Sequence, residues 1–258
     1  MLSNRSSVLM VAVLLVAGCT SSYVTPGRGA DMARVGAGQT VREASTDGVI
    51  RQAFEKKPLA NFPTGIAVVR VQEPGYSSPT NKGWGQGAYS IVTTRDIEKD
   101  EQIDRLTKMP MVSGIAPINR LLLPQQLQSD LELRQAAAKL QADMLLVYTI
   151  DTQFTTEDKA VPLSVVTLGL APNQQVRLTT TASAVLMDTR NGFIYGLCEA
   201  TDAQNRMTSG WQSDVATDET RRATETAAFG KLVGEVEKTW GGVVARYGSQ
   251  PHPTPLGQ

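Results

Sequence analysis

The chain has 258 residues, with 25 basic and 25 acidic side chains, and is formally neutral. That balance gives no support to nucleic-acid binding or to a polybasic grip on anionic lipid. It also carries one histidine, His252, in the proline-rich stretch "SQPHPTPLGQ", so Ser-His-Asp, Cys-His and histidine-built zinc arrangements have no imidazole in the fold to use.

The first element is an address. Arg5 precedes an unbroken apolar stretch, Val8 to Ala17, which Gly18 and Cys19 close with small side chains. A spanning helix needs roughly 20 apolar residues, and this run is shorter. Its length and flanks fit the h-region of an export signal. The segment Val16-Ala17-Gly18-Cys19 resembles a bacterial lipobox. The resemblance implies cleavage before Cys19, a diacylglycerol thioether on its sulfur and acylation of the new amine. Two or more acyl chains give a durable anchor where one does not. Thr20 follows the cysteine where an aspartate would resemble an inner-membrane retention signal, so the resemblance favours the outer membrane, facing the periplasm.

About 240 residues remain after such cleavage, enough for one sizeable domain. The expected organisation is a signal peptide over 1–18, a flexible tether over 19–45, one α/β domain over 46–248 and a disordered tail over 249–258. With Cys19 acylated, Cys198 is the remaining thiol. It sits in the strand-like "FIYGLCEA" and reads as a small buried residue.

Along the domain, "TDGVIRQAFEKK" predicts a helix with Val49, Ile50 and Phe54 on one face. "TGIAVVRVQ" predicts a strand. "EPGYSSPTNKGWGQGAYS" reads as a glycine-rich loop around Trp84. "TTRDIEKDEQIDRLTKM" predicts a helix that turns Ile97, Ile103 and Leu106 inward and that Pro110 ends. "MVSGIAPINRLLLP" holds a second strand. Ser129 and Glu132 form a capping box, and Leu133, Ala136, Ala137 and Leu140 follow at helical spacing.

"DMLLVYTIDTQF" predicts a central strand covered on both faces. Two more strands are expected in "PLSVVTLGL" and "QQVRLTTTASAVLMD", the latter with Val176, Leu178, Thr180, Ala182, Ala184 and Leu186 on one face. Asn191-Gly192 signals a hairpin turn. A closing helix runs from about Thr217 to Tyr247, with Asp218 and Glu219 in its first turn. Its stripe comprises Phe229, Leu232, Val233, Val236, Trp240, Val243, Val244 and Tyr247. The order gives an α/β (α+β) fold, a mixed sheet packed by helices with a long C-terminal helix.

The succession "AAAKLQAD", "MLLVYTIDTQF", "VRLTTTASAVLMDTRNGFIYG" and a long closing helix resembles a periplasmic α/β group. That group includes the N-terminal domain of TolB and the curli-export lipoprotein. The lipobox, the "GIAVVRV" strand and the Asp188 to Gly192 hairpin are similar to those of rhombotail lipoproteins. The likeness covers roughly residues 63 to 247, implies the fold, and carries over no catalytic residue.

Three functions remain open. The first is a binding or assembly module, held to the membrane by the lipid on Cys19, with an envelope protein as partner and no cofactor or metal. The second is an oligomeric secretion-type lipoprotein or outer-membrane pore component. A spanning strand needs about 9 to 11 residues with an apolar lipid face, and Thr180 breaks the face of 175–187. The third is an enzyme built on Asp151, Glu157, Asp158 and Asp188 near strand ends, residues that read equally as turn and loop carboxylates.

Overall fold

A computed structural model of the chain describes residues 26–33, 46–158, 174–208 and 213–249. The lipobox residues Val16, Ala17, Gly18 and Cys19, the strand expected in "PLSVVTLGL", and His252 lie outside the described residues. The elements are α1 (Thr46–Glu55), β1 (Thr64–Gln72), β2 (Gln86–Gly87), β3 (Ser90–Val92), α2 (Asp100–Thr107) and β4 (Val112–Pro117). After them come β5 (Gln126–Leu127), α3 (Asp130–Lys139), β6 (Met144–Asp158), β7 (Gln174–Asp188), β8 (Ile194–Thr208) and α4 (Ser213–Tyr247).

The fold is the expected mixed α/β sheet with a long closing helix. The sheet runs β3-β1-β6-β7-β8, with β4 also pairing with β1. β1 is parallel to β4 and β6, and antiparallel to β3. Alternation along β1 and β6 divides the core into two. Ile66, Val68, Met144, Leu146 and Ile150 face α2 and α4, packing on Leu106, Phe229, Leu232, Val236 and Trp240. Ala67, Val69, Val71, Leu145 and Val147 face α3, packing on Leu133, Ala136 and Ala137. Met144 to Ile150 is buried throughout, as a strand covered on both faces requires. The α4 stripe is buried from Phe229 to Val243, and the Trp240 indole donates to the Pro110 carbonyl (2.7 Å).

The capping box forms as read: Ser129 Oγ accepts from Leu131 N (3.3 Å) and Glu132 accepts from Ser129 N (3.0 Å). Three local readings differ. The α2 helix begins at Asp100, not near Thr93, because 94–98 turn inward to bury Ile97 and Glu98. The α4 helix begins at Ser213, which moves Asp218 and Glu219 out of the first turn, and Asp218 pairs instead with Arg221 (3.0 Å). The hairpin after β7 is closed by Asp188 N donating to Phe193 O (2.8 Å), so its loop is longer than the two residues that Asn191-Gly192 suggests. Gly192 alone takes a positive φ there (69°), the conformation that favours glycine.

β6, β7 and β8 are 15 residues each, yet β1 pairs with β6 only from Met144 to Val147. Beyond that point the three strands continue as an antiparallel ribbon, with the N-terminal part of α4 on one face. Where β1 and β6 part, the Gln72 amide fills the gap: its Oε1 accepts from Ile150 N (2.9 Å) and its Nε2 donates to Ile150 O (2.9 Å). Part of the stretch read as a tether seats here too. Gly29 bridges antiparallel to Gln72, Ala30 N donates to Thr149 Oγ1 (2.7 Å), and Glu73 N donates to Arg28 O (3.1 Å).

Candidate functional site

The parallel part of the sheet creates a crevice by topology. The chain passes from β1 through β3 to α2 on one face before forming β4, and crosses from β4 to β6 through α3 on the other. Adjacent parallel strands whose connections go to opposite faces leave a gap at their carboxyl ends, the usual ligand position in α/β sheets. A cleft of about 330 Å³ lies there. Val68, Ile103, Ile115 and Pro117 supply apolar wall, and Arg70, Thr93, Thr107, Asn119 and Tyr148 supply polar groups.

Arg70 ties the cleft to a buried charge network. It follows Ile66 and Val68 on the α4 face of β1 and is 2% exposed. Its Nη1 donates to Asp96 (3.2 Å) and lies 3.6 Å from Glu98, and its Nη2 donates to the Tyr76 hydroxyl (3.2 Å). Arg221, fully buried on α4, donates to Glu225 one turn on (2.6 Å), and Glu225 also accepts from Thr152 (3.0 Å). Arg70 Nη2 stands 3.9 Å from Glu225, which joins the two halves. Tyr148 donates to Glu98 (2.8 Å).

Burial opposes the Arg70 charge, but Glu98, Tyr76 and Glu225 outweigh it, so the guanidinium is held above its usual range. Burial raises Glu225 above the ordinary carboxylate range, against the pull of Arg221 and Arg70. Burial likewise lifts the Tyr148 phenol well above its usual range, and Glu98 reinforces this. Tyr148 is therefore a fixed donor. Two guanidinium groups face the carboxylates of Asp96, Glu98, Asp218 and Glu225, so cation charge is already answered. Arg70 Nε is buried without a hydrogen-bond partner. The arrangement can hold a hydrogen-bond acceptor beside an apolar surface.

The carboxylates singled out in the sequence are not brought together. Asp151 accepts from Gly29 N (3.3 Å). Asp188, opposite Met144 in the ladder, stands seven strand residues from Asp151, about 24 Å away. It accepts from Arg190 N (2.9 Å), Leu59 N (2.8 Å) and the Tyr195 hydroxyl (2.9 Å), and so fastens the hairpin. A bulge in β8 at Tyr195 aims that hydroxyl. Glu157 and Asp158 lie at the end of β6, opposite Gln175 and Gln174. Cys198 is half-buried against the α4 core and donates to Thr239 Oγ1 (3.2 Å), and burial raises its pKa, keeping it a thiol. Among the described residues no group of three or more His, Cys, Asp or Glu is placed to hold a metal, and no helix is long and apolar enough to cross a membrane.

The network residues Arg70, Glu98, Arg221 and Glu225 were not singled out by the sequence reading. Two signals carried them. Arg70 interrupts an apolar strand on an inward phase, and Arg221 and Glu225 fall at i, i+4 in phase with Phe229 and Leu232. No family model and no curated protein sequence matches the chain.

Proposed function

We propose that the chain is a lipid-anchored binding and assembly module of the bacterial envelope, held at the outer membrane through Cys19 and facing the periplasm. The observation that carries this reading is the segment Val16-Ala17-Gly18-Cys19 at the end of an apolar run too short to span. Its likeness to rhombotail lipoproteins is a second support. The α1 helix adds a third: Ile50 and Phe54, one turn apart, are 51% and 85% exposed. An apolar helix face left in water fits the groove of a protein partner. The cleft beside Arg70 is a second binding surface in the same module.

Two measurements test this. Fractionation of cells carrying Cys19→Ser is expected to release a folded domain from the membrane, and a membrane-bound variant would count against the anchor. Photocrosslinking from position 54 in the intact envelope is expected to give a discrete adduct with one protein. A blank at 54, with the chain still anchored, would remove the assembly role.

A second reading, an oligomeric envelope component, draws on β8. This strand of 15 residues ends the sheet and pairs only with β7 among the described residues. An unpaired edge is a template for another strand. A monomeric mass in detergent would dispose of it.

A further inference from the structure

Two strands share one edge of β1, and the cleft lies where they meet. β4 runs parallel along Thr64 to Val68, and β3 runs antiparallel along Arg70 to Gln72. Their carboxyl ends, Pro117 and Val92, therefore converge beside Val69. Both chains turn away there, and Thr93 and Asn119, just past the two ends, enter the wall. The α2 helix closes one side with Ile103 and Thr107, one turn apart.

The charged groups of this wall have one sign. Among the described residues it includes Arg70 and Arg95 and no carboxylate. Arg95 is exposed and pairs with the exposed Asp100 at 3.4 Å, a contact of little strength in solvent. Its guanidinium keeps donors for another acceptor. The two Nη groups of Arg70 are engaged by Asp96, Glu98 and Tyr76, whereas its Nε is buried and makes no hydrogen bond. A buried donor left unmade is costly. A carboxylate or carbonyl oxygen in the cleft supplies the missing acceptor, and an ammonium group supplies none. The acids around Arg70 already answer most of its charge, so the cation left to match is the single one of Arg95. The remaining wall is apolar, and the Tyr148 hydroxyl is committed to Glu98 (2.8 Å). A volume of about 330 Å³ is at the lower end of small-molecule sites, so the occupant is short.

We infer that the cleft binds a small monocarboxylate with a short apolar body, its carboxylate held by Arg70 and Arg95 and its carbon chain against Val68, Ile103, Ile115 and Pro117. This names a ligand class for the second binding surface proposed above and rests on that reading.

The test titrates sodium hexanoate, hexanamide and hexylammonium chloride into the full acylated chain in phospholipid nanodiscs, labelled at isoleucine methyl and arginine Nε positions for NMR. Hexanoate is expected to give saturable shifts at Ile103 and Ile115 and a downfield move of the Arg70 Nε proton. No shift is expected at Ile194, an exposed isoleucine on β8 across the sheet. Hexanamide keeps the carbonyl without the charge and is expected to bind several-fold more weakly, and hexylammonium not at all. Arg95→Gln, at an exposed position, is expected to weaken hexanoate about two- to fivefold and to leave hexanamide unchanged. Undiminished hexanoate binding by that variant refutes the pair of arginines. Hexylammonium matching hexanoate, or an Arg70 Nε proton that stays in place while the methyls shift, overturns the carboxylate assignment and leaves the cleft as a binding surface. Equal shifts at Ile194 mean general apolar adsorption and overturn the assignment too. Silence at Ile103 and Ile115 with every probe removes the cleft from the binding surfaces altogether. None of these outcomes bears on the Cys19 anchor, which fractionation tests.

Discussion

The two faces of the sheet solve the same packing problem with different chemistry. The α3 face is dry: Ala136 and Ala137 let the helix approach closely, and Ala67, Val69, Leu145 and Val147 meet it with apolar side chains only. The α4 face begins the same way around Trp240 and Phe229, then changes toward the ribbon into Arg70, Glu98, Arg221 and Glu225, each 8% exposed or less. Charges this deep contribute little net stability when paired and cost much when one partner is removed. The dry face holds the domain together. The charged face is expensive to maintain, and it is the face on which the cleft opens. Stability in the first and binding in the second is the division of labour that this contrast teaches.

The sharpest way to break the contrast is to remove the cation at its centre. Arg70→Ala leaves Glu98, Asp96 and Glu225 short of positive charge in a buried site. A loss of about 3–5 kcal/mol is expected, read by urea unfolding in a Cys19→Ser background. A loss under about 1 kcal/mol would mean that water already screens the network.

On the dry face the matching change is Leu133→Ala, at a fully buried position. The lost burial and the cavity predict about 2–4 kcal/mol. This loss should be the same at pH 5 and pH 8, because the ionisable member of that cluster, Tyr89, is held by burial above its usual phenol range. A pH-dependent loss would show that the two faces are coupled.

The hairpin supplies a control, a buried carboxylate with neutral donors. Asp188 is 0% exposed and accepts from two backbone amides and a phenol. Asp188→Ala strands those donors at about 2–3 kcal/mol, and should also free 57–60 to faster amide exchange. If exchange at Leu59 and Ala60 is unchanged, the carboxylate does not hold that segment.

The sequence was most readable where one physical signal acted alone. The Ser129–Glu132 box, the apolar run from Met144 to Ile150 and the stripe from Phe229 to Val243 each announce an element without outside help. Legibility failed where distant residues decide. Residues 94–98 carry a helical pattern, yet Glu98 is drawn inward by Tyr148 and Arg70, from strands far along the chain. Asn191-Gly192 suggested a two-residue turn, but Asp188 collects donors from 131 residues' span of chain order, from Leu59 to Arg190, and sets a longer loop. Inward phase marked Arg70, Arg221 and Glu225 singly, but their pairing was not legible, since no local pattern brings β1, β6 and α4 together.

Glu225 gives the smallest effect and the finest distinction. Burial raises its pKa in the folded protein above the ordinary carboxylate value. The native state therefore holds its proton to higher pH than the unfolded chain does. Stability falls as pH rises through the window between those two values, since the slope follows the protons bound by the unfolded state less those bound by the native state. The Glu225 contribution is fully present below the ordinary carboxylate range and lost above the raised native value. Glu225→Gln removes the titration but keeps an acceptor for Thr152 and Arg221. A loss of about 1–2 kcal/mol at neutral pH is expected, because Arg221 keeps Asp218 and Arg70 keeps Asp96 as carboxylate partners, together with a flatter stability profile from the carboxylate range upward. A variant whose profile stays parallel to that of the parent would show that another group carries the slope. A variant that becomes steeper would mean that the arginines hold Glu225 ionised, and that the pairing outweighs burial on this face.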